Sequence, residues 1–441
     1  MATGRRRPPS AGGTPLLGQT VRFTSEPLSL VEELLEKHGP VTRMNVLGLG
    51  ELYNIAGPEG IKQALVTDRE SFRKSAGFRV AFGENVLSTE GEQWQRQRDA
   101  LDEFFYPARI REYADRIVEL TQRRLSRWQP GTLTLHEEMS GTALDNFFGT
   151  VFDRPLDPDG DTKLRRAAND INLWFKPSSF ALPRWVPTPA RRRFHRAVGI
   201  VKDETHRLLD ERRRELRRDD ADASDDLLSM LVAMRDESDA ALSDSEIVDQ
   251  VVGLVFAGHD TTALAMTYSL HQIAAHPNIQ RRFHAELEEV LNGDPPTLSD
   301  IGELELTERI LRETLRLYPP IHTIPRVTTE SVEIDGYRLE PETRAHLSVW
   351  AVHRDSRHWE DSHEWRPTRW KDASPRDAGY AYVPFGAGPR TCLGRRFALM
   401  EAKLVLAVVG QQFELDPLCE LEFTPMSTTQ PAHGVPVRIT P

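Results

Sequence analysis

The stretch Phe385-Gly386-Ala387-Gly388-Pro389-Arg390-Thr391-Cys392-Leu393-Gly394 decides how this chain is read. It is a glycine-rich loop that delivers a cysteine to the start of a helix, because the residues from Arg395 to Val409 are strong helix formers with no proline or glycine until Gly410. A thiol at a helix N-terminus meets unpaired backbone N–H groups and the positive end of the helix dipole. Both favour the thiolate, the form that binds metal. Glycines at 386, 388 and 394 leave room for a flat, bulky ligand against the backbone on the sulfur side. Arg390 offers a fixed cationic fork to a carboxylate of such a ligand. Alone, a cysteine in a turn reads as a buried structural thiol; here several positions agree on a ligand.

Phe385, Gly388, Arg390, Cys392 and Gly394 form Phe-x-x-Gly-x-Arg-x-Cys-x-Gly, which resembles the haem-ligand loop of the cytochrome P450 family. The resemblance runs from about Pro15 to the end of the chain. It implies haem b with Cys392 as its axial thiolate, which favours O–O cleavage, and Phe385, Arg390 and Gly394 as cofactor contacts. The fold it implies is mainly α with small β-sheets, a single domain with a long central helix over the haem.

Composition agrees with one large soluble domain. The chain has 441 residues, 39% hydrophobic and 28% charged, with no interior Ser/Gly or Pro linker and no repeat. We expect a flexible tail over 1–14 and the haem domain over 15–441, with no fused reductase. A net charge of −11 argues against nucleic acid as a partner. Two cysteines, Cys392 and Cys419, make no disulfide framework and suit a reducing cytoplasm, and Cys419 has neither glycines nor a cationic neighbour. The N-terminus carries Arg5-Arg6-Arg7 but lacks the apolar core of a signal peptide or membrane anchor.

Along the chain, 41–46 and 51–56 read as a hairpin around Leu47-Gly48-Leu49-Gly50. Residues 74–89 read as a loop with apolar side chains; by position it resembles the family's roof over the substrate pocket, which brings Phe82 and Val86 to that pocket. Trp94 and Arg98 stand four apart on one helical face and resemble the family's Trp-x-x-x-Arg contacts to a haem propionate. Helices are expected at about 136–153, 160–175 and 189–217. Between the last two lies an aromatic, proline-rich loop (Trp174, Phe175, Pro177, Phe180, Pro183, Trp185) at the family's access channel. The arginine triplets at 191–193 and 212–214 read as solvated helix faces, and the acidic run 219–226 as a solvated turn.

Ser243-Asp244-Ser245-Glu246 has the form of a capping box, opening a helix that runs to His276-Pro277, about 45 Å or more of rod. Its middle, Ala257-Gly258-His259-Asp260-Thr261-Thr262, is too polar for a buried helix, and Gly258 favours a local widening. The Thr261 hydroxyl also has a plain structural use, bonding back to the Ala257 carbonyl. The motif resembles the family's acid–alcohol pair, which implies that Asp260 and Thr261 handle protons in O2 activation. Val255, Phe256 and Ala257 should border the pocket. His259 is given no catalytic role.

Glu313 and Arg316 stand at i and i+3, followed by Leu317-Tyr318-Pro319-Pro320 and later by Trp365-Arg366-Pro367-Thr368-Arg369-Trp370. This resembles the family's structural triad, Glu313–Arg316–Arg369, with Trp where Phe is commoner. Between them Ile321 and Thr323 match a loop over the haem edge, and Arg326 resembles another propionate ligand. Met426 falls at a final pocket-lining turn. The resemblance as a whole implies a monooxygenase that inserts one atom of O2 into an apolar substrate (fatty acid, terpenoid or steroid-like). Electrons would come from an external ferredoxin or flavodoxin docked near Arg395 and Arg396. The rival readings are a haem-binding sensor or electron carrier, and a peroxide-using or isomerising enzyme of the same fold.

Overall fold

The computed structural model describes residues 7–157, 160–175, 186–218, 226–234 and 242–441. The chain opens with helices α1 (Thr20–Ser25) and α2 (Pro27–His38), then strands β1 (Val41–Val46) and β2 (Gly50–Ile55), paired antiparallel with Val46 opposite Gly50. After β3 (Phe72–Arg73) come α3 (Ala76–Phe82), α4 (Gly91–Asp102), α5 (Ala114–Leu125), β4 (Gly131–Thr134), α6 (Leu135–Val151), α7 (Thr162–Asp170), α8 (Pro189–Arg218) and α9 (Leu227–Met234). Next are α10 (Asp244–Ala275), α11 (Pro277–Leu291), α12 (Glu305–Leu317), β5 (Thr323–Thr328), β6 (Val332–Ile334), β7 (Tyr337–Leu339) and β8 (Arg344–Ser348). The C-terminal part holds α13 (Arg395–Gln412), β9 (Glu414–Pro417), β10 (Phe423–Pro425), β11 (Thr429–Pro431) and β12 (Pro436–Thr440).

Helix α10 is the axis. Ser243 caps it reciprocally with Glu246, so both orphan donors at its start are satisfied. At 32 residues it is about 48 Å long. From Gln250 to Ala274 every residue is buried except Ala257, Gly258 and Thr261, which is why no amphipathic stripe marks it in the sequence. One hydrophobic core joins α5, α10, α11, α12 and α13; a second, rich in phenylalanine, joins α6 to α10. The five-stranded sheet runs β1-β2-β8-β5-β3, with β2 and β8 parallel and every other pair antiparallel.

Several expectations need correction. Residues 76–82 of the expected loop form α3, stopped at Gly83, whose φ of +76° few other residues adopt. Gly410 lies inside α13, where a Cβ would come within 2.3 Å of Phe283. The tail is pinned at its inner end, since Pro9 and Ala11 exchange backbone hydrogen bonds with Arg43 (3.0 and 2.8 Å). Arg191 and Arg212 are buried rather than solvated. Arg212 bonds Asp226 at 2.8 Å, and the buried Asp226 also accepts the Ser229 N–H, so the end of the acidic run is a helix cap and ion pair. Residues 219–225, and Pro177, Phe180, Pro183 and Trp185 of the aromatic loop, lie outside the described residues.

Candidate active site

The cysteine loop is folded by its own backbone. Cys392 N–H donates to the Phe385 carbonyl (2.9 Å) and Thr391 N–H to Gly388 (3.0 Å), closing the loop over two glycines with φ of +70° and +69°. A Cβ at Gly388 would lie 2.3 Å from the Leu65 carbonyl, so that glycine serves packing. Gly386 and Gly394 leave open space, with nearest side-chain atoms at 3.8 and 3.9 Å. The Cys392 side chain stands on the wall of a cavity of about 590 Å³ and is exposed. Burial pushes its thiol up, against a hydrogen bond from Gly394 N–H and the charges of Arg98 and Arg395. The helix dipole acts on the thiol more weakly than the sequence suggests, because Gly394 is the N-cap and α13 starts at Arg395, three residues past Cys392.

Cations converge on the same cavity. Arg98 comes from α4, Arg326 from β5, Arg390 from the cysteine loop and Lys74 from the segment before α3, and all four line it. Arg98 bonds the Thr391 carbonyl (3.0 Å) and Asp102 (2.8 Å). Arg390 pairs with Glu90, donates to the Thr89 carbonyl (3.1 Å) and stacks over Trp94 at 4.4 Å, but its Nη1 is buried without a partner among the described residues. Arg326 is pushed down to about 10 by burial and by the Arg390 charge. Lys74 donates to the Val86 and Leu87 carbonyls (3.1 and 2.7 Å) and is held well below the ordinary lysine range by burial and by both arginines. Enclosed like charges destabilise one another unless an anion joins them. Among the described residues no acidic side chain lines the cavity. Two carboxylates of one flat ligand would satisfy this rim, so the residues fit a haem with its propionates on the arginines and lysine and its iron on the sulfur. Lys74 was not foreseen, since between Arg73 and Ser75 it looks like an ordinary surface lysine.

The opposite wall is α10. Phe256, Ala257, Gly258, Thr261 and Thr262 line the cavity. The helix continues without a bulge, because Gly258 is required by packing: a Cβ there would meet Phe147 at 2.7 Å. Thr261 Oγ donates to the Ala257 carbonyl (2.7 Å) and Thr262 Oγ to Gly258 (3.1 Å). Asp260 does not line the cavity. It points behind the helix, where both carboxylate oxygens accept from Gln430 Nε2 (3.0 and 2.9 Å), whose amide also reaches Thr428 Oγ (2.8 Å) on the cavity wall. His259 is buried, with Nδ1 on the Val255 carbonyl (2.6 Å). Val255 also faces away from the cavity, fully buried in the core. Phe82 sits one layer back, stacked on Phe256 at 4.5 Å. Of the remaining expected pocket residues, Val86, Ile321, Thr323 and Met426 are on the cavity wall, as are Trp94 and Phe385.

Glu313, Arg316 and Arg369 meet, but away from the cavity. Arg316 grips the Glu313 carboxylate twice (3.0 and 2.8 Å) and donates to the carbonyls of His353, Ser362 and Glu364. Arg369 Nε reaches Glu313 at 3.2 Å. Two further donors were not foreseen: Trp370 Nε1 (2.9 Å) and the Arg366 N–H (3.0 Å). An indole in place of phenylalanine adds a hydrogen bond as well as packing.

A chamber walled by one thiol, rimmed by four converging cations and closed by a helix is shaped for a flat dicarboxylate bound through sulfur, which makes this a haem-thiolate protein. The cytochrome P450 model matches residues 8–438, and the chain belongs to the cytochrome P450 family. It is 32% identical over 416 residues to cyclooctat-9-en-7-ol 5-monooxygenase of Streptomyces melanosporofaciens, covering 92% of this chain and 89% of the relative. It is 30% identical to pentalenene oxygenase of Streptomyces avermitilis, covering 97% and 95%. Among solved structures, retinoic-acid-bound cyanobacterial CYP120A1 superposes with a TM-score of 0.86 at 22% identity, covering 99% of each chain, so the P450 fold spans the whole chain. The protein is a haem-thiolate monooxygenase acting on an apolar substrate, with haem b held by a cysteine thiolate. Among the described residues no helix is long and apolar enough to cross a membrane.

Proposed function

We propose that this enzyme hydroxylates a terpenoid, with Cys392 as the iron ligand. Arg98, Arg326, Arg390 and Lys74 would hold the propionates, and Trp94 would steady Arg390. The carrying observation is the enclosed cationic rim beside a cavity-facing sulfur. The terpenoid assignment rests on the two Streptomyces relatives, whose names give a cyclic alkene and an alkenol as substrates, and on the phenylalanine-rich wall formed by Phe78, Phe147, Phe175 and Phe256.

When bound, the haem supplies O2 activation. The chain's part is to exclude bulk water, orient the substrate against α10 and manage protons. Thr261 presents its hydroxyl to the cavity. Asp260 would relay protons from behind the helix, where its carboxylate is clasped by Gln430, whose amide also touches the cavity-lining Thr428. An acidic ferredoxin or flavodoxin would dock on the sulfur side at the exposed Arg395 and Arg396. Two unpaired cysteines suit a cytoplasmic enzyme.

The deciding experiment is the spectrum of the reduced protein with carbon monoxide. A strongly red-shifted Soret band, lost in Cys392→Ser and kept in Cys419→Ser, is expected. The normal histidine-type position in the wild type refutes the ligand assignment and favours a sensor.

A further inference from the structure

The cavity does not end at the haem chamber. It continues past His322 and Ile324 into a lobe between helices α1 and α2 and one face of the five-stranded sheet, where Phe23, Pro27 and Met44 line it. A sheet face packed on helices should be apolar, and Met44, Val46 and Leu52 on this face are. Beside the lobe, one row breaks that rule. The registers β1–β2 and β2–β8 place Thr42 opposite Asn54 and Asn54 opposite His346, so these three side chains stand side by side on the same face.

Polar neighbours in a core ordinarily bond one another. These do not. Among the described residues Thr42 Oγ and both amide atoms of Asn54 have no hydrogen-bond partner, and neither residue is exposed at all. Among the described residues neither ring nitrogen of His346 has a hydrogen-bond partner either, and His346 and Asn54 border the lobe. Burial, with the charges of His322 and Arg344, pushes His346 down to about 4, so near neutrality it offers one donor and one acceptor and no charge. The charged side chains on the cavity wall, Lys74, Arg98, Arg326 and Arg390, all belong to the rim around the haem chamber.

We propose that this row, His346 backed by Asn54 and Thr42, is a subsite for a neutral oxygen function of the substrate, a hydroxyl or ketone remote from the carbon that is oxidised. The inference rests on the terpenoid reading and sharpens it: the substrate arrives already oxygenated. A carboxylate is disfavoured, because among the described residues the lobe wall supplies no cation to pair with it. In a reaction sequence, an oxygen-introducing step, a prior hydroxylation or a cyclisation ended by water, must then supply this enzyme's substrate.

The test uses the haem-loaded protein and spectral titration, which reads binding rather than turnover. The probes are two matched pairs, menthane with menthol and cedrane with cedrol, together with dodecanoic acid. At least one alcohol is expected to bind about tenfold tighter than its hydrocarbon, the size of one well-made hydrogen bond. The ratio should fall to about one in His346→Phe, with hydrocarbon affinity unchanged within about twofold. Asn54→Leu should do the same, and if it does not fold, His346→Phe carries the test alone. Equal affinity of hydrocarbon and alcohol in the wild type, or a preference that survives His346→Phe, overturns the subsite and means the row is satisfied by water. Tight binding of dodecanoic acid with no response to any terpenoid overturns the terpenoid reading itself, and the subsite with it.

Discussion

Glu313→Gln is the most informative single change in the frame. In the native protein one carboxylate oxygen accepts from Arg316 Nη2, Arg369 Nε and the Arg366 N–H, and the other from Arg316 Nε and Trp370 Nε1. Glutamine keeps the shape but removes the charge and turns an NH2 towards donors. Two guanidinium groups, Arg316 fully buried and Arg369 nearly so, are left without their counter-charge. Breaking a buried pair from one side costs about 3–5 kcal/mol, a factor of roughly 10² to 10⁴ in the folded population and a large share of a total of about 5–15 kcal/mol. Trp370→Phe is the control: it removes one hydrogen bond to a charged acceptor, about 1.5–3 kcal/mol. The assay is urea unfolding followed by fluorescence, with haem content measured on the same samples. Glu313→Gln should show the larger fall in midpoint and lose most of its haem. A fall no larger than that of Trp370→Phe, with wild-type haem content, refutes the reasoning that the carboxylate charge holds this frame.

Thr261→Ala should raise the share of reducing equivalents lost to peroxide, measured as product formed per NADPH consumed with a reconstituted redox partner; unchanged coupling would favour the peroxide-using alternative. Glu401 is pushed up to about 8 by burial, from an ordinary value of 4.5, so the folded protein holds a proton that the unfolded chain releases. Its contribution is therefore most favourable below about pH 4.5 and is lost as pH rises to about 8. Glu401→Gln should raise the melting temperature at pH 8 and flatten its dependence between pH 5 and pH 8; an unchanged pH profile would contradict the assignment. Reversing the charge of Arg395 and Arg396 together should slow reduction by an acidic ferredoxin or flavodoxin, most at low ionic strength, in stopped-flow kinetics; equal rates would move the docking site elsewhere.

The features legible in the sequence were those carried by local rules. The cysteine loop and the capping box at Ser243 and Glu246 are fixed within a few residues of chain. Val255 was placed beside the pocket with Phe256 and Ala257 because the three adjoin in sequence, but only the last two line the cavity, while Val255 is fully buried in the core. Gly258 misled because a glycine in a helix signals either strain or a close neighbour, and only the fold shows Phe147 against it. The polar row at Asn54 was out of reach: a strand pairing across about two thirds of the chain brings His346 beside it.

That pairing also bears on how the protein is made. Strand β2 ends at Ile55, and its parallel partner β8 begins at Arg344. Contacts so distant in sequence form late, after the intervening loop has been closed. With about 290 residues between them, synthesis at about 5–20 residues per second leaves the hairpin's open edge on the ribosome for roughly 15–60 seconds before its partner exists. For that interval Leu52 and Ile55 have no sheet to join, so the nascent chain is most exposed to mispairing at its N-terminal end, and the floor of the lobe is among the last parts of the molecule to close.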